Sequence, residues 1–147
     1  MPATALLTDL YQLTMAYGYW KTGRGRLDAV FHLFYRNNPF RSGYAVAAGL
    51  EDAVDYLRNL RFAPDDLAYL GTLTGQDGRR LFEAGFLDDL GKLRLTCDVD
   101  AVPEGTVVFP HEPLVRVPGP ILQGHDPETA LLHPIQFQNP TPTKGAR

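Results

Sequence analysis

Three side chains near the N-terminus have types and spacing that could bind a small planar ligand. Thr8 and Asp9 are short polar residues that can cap the start of a helix, and Tyr11 lies two positions after Asp9. At such a helix start the tyrosine ring could face a planar ligand, while backbone amides of the first turn face an anion. The alternative is a tyrosine in the core, because apolar residues cover more than one face of the predicted helix over 9–22. The residues alone leave both interpretations open.

Arg36 is a second candidate for ligand binding. It ends the predicted strand over 28–36 and precedes a turn-forming stretch at 37–43 that is rich in asparagine, proline and glycine. Donor groups at the end of a strand often contact ligands, and a solvated loop is the alternative. His32 lies inside the same strand, where we expect a core or partly buried histidine rather than a ligand.

Composition and charge restrict the class of protein. The chain has 147 residues, of which 44% are hydrophobic and 21% charged, as in a soluble domain that can bury a core. The net charge of −3 provides no basic surface for nucleic acid. No apolar run approaches the roughly 18 residues of a membrane span. The single cysteine, Cys97, suits a reducing compartment, so we expect a cytoplasmic protein.

The order of helical and extended patterns predicts the fold class. Helical spacing of apolar residues predicts helices over 9–22, 50–60 and 77–90, and a proline followed by two acids starts a shorter one over 64–70. Dense aromatic and branched residues predict a strand over 28–36, and alternation of apolar and polar residues predicts one over 93–102. Short apolar segments separated by proline turns predict two more strands, over 106–109 and 114–117. We expect the last three strands to form a compact β-subdomain joined by proline turns. Helices first and strands later within one domain predict an α+β fold.

The C-terminal segment is interrupted by prolines. Four prolines lie between residues 127 and 142, and each interior proline costs a helix about 3 kcal/mol. A continuous helix over this range is therefore excluded. Four potential metal ligands lie nearby, but their spacing matches no zinc or calcium pattern, and we expect no metal site; they are His125, Asp126, Glu128 and His133.

Several of these stretches together resemble nicotinate phosphoribosyltransferases. The similar segments occur in the family's order and spacing, and they cover nearly the whole chain. They are TDLYQLTM at 8–15, FYRNNPF at 34–40, AAGL at 47–50, VPEGT at 102–106, GP at 119–120 and ETALL at 128–132. The resemblance implies the N-terminal domain of that family, an α/β-hammerhead arrangement that precedes a type II phosphoribosyltransferase barrel. It places this domain at 1–122 and a divergent segment at 123–147.

The resemblance also implies a reaction and partners. The family joins nicotinate to phosphoribosyl pyrophosphate, coupled to ATP hydrolysis, and forms nicotinate mononucleotide for NAD biosynthesis. ATP and Mg²⁺ are implied for the complete enzyme, and no cofactor is expected in this chain. The implied assembly is a homodimer, with no nucleic acid and no membrane as partner.

Four residues of this chain receive substrate-binding roles from the resemblance. Tyr11 matches the tyrosine that stacks on the pyridine ring across the dimer interface, which favours the ligand-facing interpretation. Arg36 would lie near the phosphate-binding side. Lys144 and Arg147 match a basic pair that faces the anionic ligand, although a solvated tail is the alternative. No catalytic residue is expected in this chain, because family members continue through a barrel for more than twice its length.

Three functions remain open on the sequence. The chain is expected to be the N-terminal domain of a nicotinate phosphoribosyltransferase, inactive by itself. It could instead be a non-catalytic interaction module that keeps the dimer-forming surface, or the product of a damaged gene. All three imply an exposed apolar patch where the barrel would pack.

Overall fold

The computed structural model describes residues 5–37 and 43–125, and these combine helices with antiparallel strands. The helices are α1 (Leu10–Lys21), α2 (Leu50–Asn59), α3 (Pro64–Thr72), α4 (Ala84–Lys92) and α5 (Ile121–His125). The strands are β1 (Asp28–Leu33), β2 (Ala45–Val46), β3 (Asp100–Ala101), β4 (Val107–Val108) and β5 (Val115–Pro120). The described residues contain no closed barrel, and the predicted α+β class is confirmed.

A three-stranded antiparallel sheet joins the start of the chain to its later part. Its order is β1-β5-β3, and β1 pairs with β5 from Asp28 opposite Pro120 to Leu33 opposite Val115. The predicted union of the first strand with the later ones is therefore confirmed. Side chains of β1 alternate between the exposed and the half-buried face. His32 lies on the exposed face, so its prediction as a core or partly buried residue is wrong.

The predicted β-subdomain of the last three strands is wrong, because β4 belongs to a different sheet. It pairs with β2, with Ala45 opposite Val108 and Val46 opposite Val107. Backbone hydrogen bonds of Ala47 with Thr106 and Gly105 continue this pairing, so the amides before β4 find their partners beside β2. The predicted strand over 93–102 is also shortened to Asp100–Ala101. Within 93–99 burial alternates as predicted, but the Thr96 amide bonds the Gln123 side chain at 2.7 Å.

The predicted helix over 77–90 begins only at Ala84. Residues before it form a loop, in which Thr74 and Arg80 make an isolated bridge and Gly78 has a φ of 73°. The inward direction of the apolar residues is nevertheless correct, since Phe82, Phe86 and Leu90 are among the most buried side chains. Leu81 and Leu87 are half-buried and pack against them.

Two predictions fall wholly or largely on residues outside the described ranges. The first is the turn over 37–43, of which the structure describes only residues 37 and 43. The second is the proline-interrupted segment, which begins beyond residue 125, the last one that the structure describes. α5 runs across the expected domain boundary between 122 and 123, and that boundary stays a prediction. Among the described residues, none of the helices has the length and apolar character needed to cross a membrane.

Candidate functional site

The first turn of α1 is closed by its own side chains. Asp9 is the N-cap residue, with an extended backbone, and it forms a capping box with Gln12. The backbone N–H of Gln12 donates to the Asp9 backbone carbonyl at 3.0 Å, and the backbone N–H of Asp9 donates to the Gln12 side-chain oxygen at 3.3 Å. The hydroxyl of Thr8 donates to the same oxygen. Asp9 therefore caps the helix, and its partners fix where α1 begins.

Tyr11 projects from this turn into solvent. Its side chain is 52% exposed, whereas Leu13 and Ala16 on the opposite side of α1 are buried. Met15, one helical turn after Tyr11, is also exposed, and so is Leu7 in the segment before α1, so several apolar side chains are exposed in this region. The core interpretation of Tyr11 is excluded. Its ligand-binding role stays a prediction.

An aromatic cluster holds the buried side of α1 against α4. The Tyr17 ring lies 5.7 Å from that of Phe82 and 5.3 Å from that of Phe86, measured between centroids. Trp20 lies 5.8 Å from Phe86 and donates its indole N–H to Asp89 at 2.8 Å. These contacts orient the helix that carries Tyr11.

An exposed ion pair adds to the same interface. The Lys21 ammonium bonds the Glu83 carboxylate, which also accepts a hydrogen bond from the Tyr17 hydroxyl at 2.8 Å. These hydrogen bonds raise the pKa of Lys21 and lower the pKa of Glu83, in each case mainly through the partner's side chain. Both groups therefore remain charged over a wide pH range.

Two of the segments singled out in the sequence, 47–50 and 102–106, contact each other directly. The Ala47 amide donates to the Thr106 carbonyl, and the Gly105 amide donates to the Ala47 carbonyl, both at 2.9 Å. The Glu104 carboxylate then accepts from the first amides of α2, at 3.0 Å from Gly49 and 2.8 Å from Leu50. These segments build a helix cap between distant parts of the chain.

Arg36 is exposed in the segment that follows β1. The preceding residue, Tyr35, is held by hydrogen bonds of both its ring hydroxyl and its backbone carbonyl. Its hydroxyl donates to the Val108 carbonyl at 2.8 Å, and its carbonyl accepts from the His111 amide at 2.9 Å. Tyr11 thus lies on α1 and Arg36 in the loop after β1, and Lys144 and Arg147 lie outside the described residues.

The ranges 5–37 and 43–125 contain no group of three or more His, Cys, Asp or Glu side chains that could hold a metal ion.

Two residues that organise this region were missed by sequence reasoning. Gln12 had a usable signal, because a glutamine three positions after an N-cap residue is typical of a capping box. Glu104 had none, because its partners lie 55 and 54 residues away in the chain.

Comparison with known proteins identifies the family. The family model for the nicotinate phosphoribosyltransferase N-terminal domain matches residues 6–136. The chain is 41% identical over 146 residues to the nicotinate phosphoribosyltransferase of Homo sapiens, which covers 99% of this chain and 26% of that protein. It is 45% identical over 143 residues to one from Mycobacterium tuberculosis, covering 97% of this chain and 29% of that protein.

A solved structure has the same fold. The crystal structure of human nicotinic acid phosphoribosyltransferase matches with a TM-score of 0.84 and 40% identity, over 95% of this chain and 27% of that one. The chain thus spans little more than a quarter of the length of these relatives. The chain belongs to the nicotinate phosphoribosyltransferase family and corresponds to its N-terminal domain.

Proposed function

We propose that this chain supplies the N-terminal domain for a nicotinate phosphoribosyltransferase reaction, in which nicotinate and phosphoribosyl pyrophosphate form nicotinate mononucleotide and pyrophosphate. The observation that carries the proposal is the exposed Tyr11 ring on a firmly capped helix turn. A flat, electron-poor pyridine ring stacks well on a phenol, at about 1 kcal/mol beyond the area buried. Family membership supports the same assignment.

The carboxylate of nicotinate requires a cation in this proposal. The capping box already uses amide groups at the start of α1, so the first turn offers less to an anion than an open helix end would. Arginine and lysine side chains are the better partners. We assign this electrostatic role to Arg36, Lys144 and Arg147 collectively, on the ligand side of the complete enzyme.

The remaining parts of the proposal concern the assembly. Stacking of Tyr11 on a ligand held by a second subunit requires a homodimer, and the exposed apolar side chains of Leu7 and Met15 support such a contact. ATP and Mg²⁺ would be bound by other parts of the complete enzyme. We further propose a cytoplasmic protein that acts in NAD biosynthesis.

A chimeric enzyme tests the role of Tyr11. The chain replaces the matching N-terminal quarter of the human relative, and nicotinate mononucleotide formation is measured at varied nicotinate concentration. We expect Tyr11→Ala to raise the KM for nicotinate about two- to tenfold, since it removes one stacked ring face. Tyr11→Phe keeps the ring and is expected to retain a nearly unchanged KM.

Tyr69→Ala is the matched control, because Tyr69 is equally exposed, at 56%, but lies on α3. An unchanged nicotinate KM in Tyr11→Ala would refute the assignment of Tyr11. A folded chimera without activity would favour the non-catalytic interaction module.

A further inference from the structure

Gln12 is the one residue in the described part of the chain that is both polar and fully buried. Its exposure is 0%, and it follows directly after the 52% exposed Tyr11. Consecutive residues of an α-helix point about 100° apart. Burial of the Gln12 side chain therefore fixes the side of the helix from which the Tyr11 side chain leaves the backbone.

The hydrogen bonds of Gln12 reach backwards to the residues that precede the helix. Its side-chain oxygen accepts from the Thr8 hydroxyl and from the Asp9 backbone N–H, and its own backbone N–H donates to the Asp9 carbonyl. Tyr11 lies inside this closed loop of contacts, at the second helical position. The first turn cannot open without breaking them.

Burial makes this arrangement costly to leave. Removing a buried amide oxygen from its hydrogen bonds leaves a polar group without partners, at about 1–3 kcal/mol. Helix ends commonly fray in the absence of such restraints. A fraying first turn would let the Tyr11 ring sample many directions, and a ligand would have to restrict them on binding.

We infer that Gln12 is a positioning residue for Tyr11: its buried amide holds the first turn of α1 so that the ring is presented in one direction to the ligand. This inference rests on the proposed function for its consequence in nicotinate binding. The ordering of the ring itself does not depend on that function. The two parts can therefore be measured separately.

The first measurement uses the 147-residue chain without any ligand. The chain is labelled with 3-fluorotyrosine, and the resonance of Tyr11 is assigned by its loss in Tyr11→Phe. Gln12→Met keeps the size of the side chain and removes the acceptor oxygen. Relative to wild type, we expect the Tyr11 fluorine line of Gln12→Met to be narrower and to lie closer to its position in the unfolded chain.

The second measurement uses the chimeric enzyme at a temperature where every variant is fully folded. We expect Gln12→Met to raise the KM for nicotinate about two- to tenfold, comparable with removal of the ring. kcat and the KM for phosphoribosyl pyrophosphate should stay within about twofold of wild type. A purely structural role would lower the melting temperature and leave the nicotinate KM unchanged.

Thr8→Val provides a second variant for the case in which Gln12→Met does not fold. It removes one donor to the Gln12 oxygen, and Thr22→Val is its control, since the Thr22 hydroxyl bonds the Gly18 carbonyl at the other end of α1. Only Thr8→Val should change the fluorine line and the nicotinate KM.

An unchanged Tyr11 line in both Gln12→Met and Thr8→Val would overturn the inference. If Tyr11→Ala leaves the nicotinate KM unchanged, the proposed function fails instead. The fluorine measurement then still decides the role of Gln12.

Discussion

Among individual residues, Glu104 has the clearest energetic role. Its carboxylate accepts hydrogen bonds from three successive amides at the start of α2, those of Gly49, Leu50 and Glu51. Replacing a capping side chain by alanine costs about 0.5–2 kcal/mol. We expect Glu104→Ala to lower the free energy of unfolding by that amount in urea titration, and Glu104→Gln to cost less because it retains one acceptor oxygen.

Glu51→Gln is the control for this experiment. It removes a carboxylate from the same helix end without removing a cap, so its effect should be about 0.5 kcal/mol or less. Equal losses for Glu104→Ala and Glu51→Gln would mean that only charge matters at this helix end.

Tyr35 makes the stability sensitive to alkaline pH. Burial, and secondarily the charge of Glu112, raise the pKa of Tyr35 above its ordinary value of 10.0. The unfolded chain therefore ionises first, and the stability held by the protonated phenol is lost as pH rises from about 10 through the folded pKa. We expect Tyr35→Phe to flatten the fall of stability above this pH, as measured by urea titrations at several pH values.

The same variant should be less stable than wild type at neutral pH, by about 1 kcal/mol, because the hydroxyl no longer bonds the Val108 carbonyl. Tyr69→Phe on the exposed face of α3 is the control. Burial also raises the pKa of the Cys97 thiol. Cys97 is therefore kept unchanged in wild type and in the tyrosine variants, so that the pH curves differ only in the tyrosine. An equally steep fall of stability at alkaline pH in wild type and Tyr35→Phe would contradict this role of Tyr35.

At this scale the sequence predicted what local spacing can encode. The cap at Asp9 and the burial of Leu13 follow from residue type and helical periodicity. His32 was mispredicted, because alternation in a strand indicates that faces differ but does not fix which face meets the core. Glu104 acts on amides of another segment, and no spacing within 102–106 contains that information.

Among the elements, α1 and α5 each contain a glycine, and we expect its replacement by alanine to change stability in opposite directions. A methyl group on Gly124 of α5 would lie 2.4 Å from a ring carbon of Phe31 on β1, whereas on Gly18 of α1 it would meet nothing within 4 Å. We expect Gly124→Ala to destabilise the chain by about 1–3 kcal/mol through overpacking. Gly18→Ala should stabilise it by up to about 1 kcal/mol through helix propensity.

Thermal or urea unfolding of the two variants provides the measurement, and each variant is the control for the other. The same sign of change in both would show that helix propensity, and not the contact with Phe31, determines the outcome.

The errors in predicting elements have a common physical cause. The residues at 82, 86 and 90 are spaced as in one helix, yet Phe82 reaches the core from a loop that contains Gly78. The alternation over 93–99 is real, but that stretch lies outside the sheet ladder, which begins at Asp100. Periodicity reports which side chains are buried, whereas an element also depends on where backbone amides find partners.

For the molecule as a whole, we expect no nicotinate phosphoribosyltransferase activity from the 147-residue chain alone. Catalysis requires preorganised groups around the transferred ribosyl centre, and the resemblance assigns those groups to the barrel. The measurement is nicotinate mononucleotide formation by the purified chain, with the active chimera as positive control. Product above a reaction without enzyme would contradict the expectation.

The overall architecture was predictable to the level of class and family. The α+β class followed from the order of patterns, and the family followed from motifs spread over the chain. The division into two sheets was not predictable, because β2, the partner of β4, has only two residues and no strand was predicted there. Strands that short carry almost no periodic signal.

The cap on α2 also has a consequence for synthesis on the ribosome. Gly49 and Glu104 are separated by 55 positions, so at about 5–20 residues per second Glu104 is added about 3 to 11 s after Gly49. During that interval the start of α2 lacks its acceptor, and the exit tunnel adds further delay. We expect the amides of Gly49 and Leu50 to exchange hydrogen rapidly in a nascent chain arrested before residue 104, and slowly once the turn after β3 has emerged.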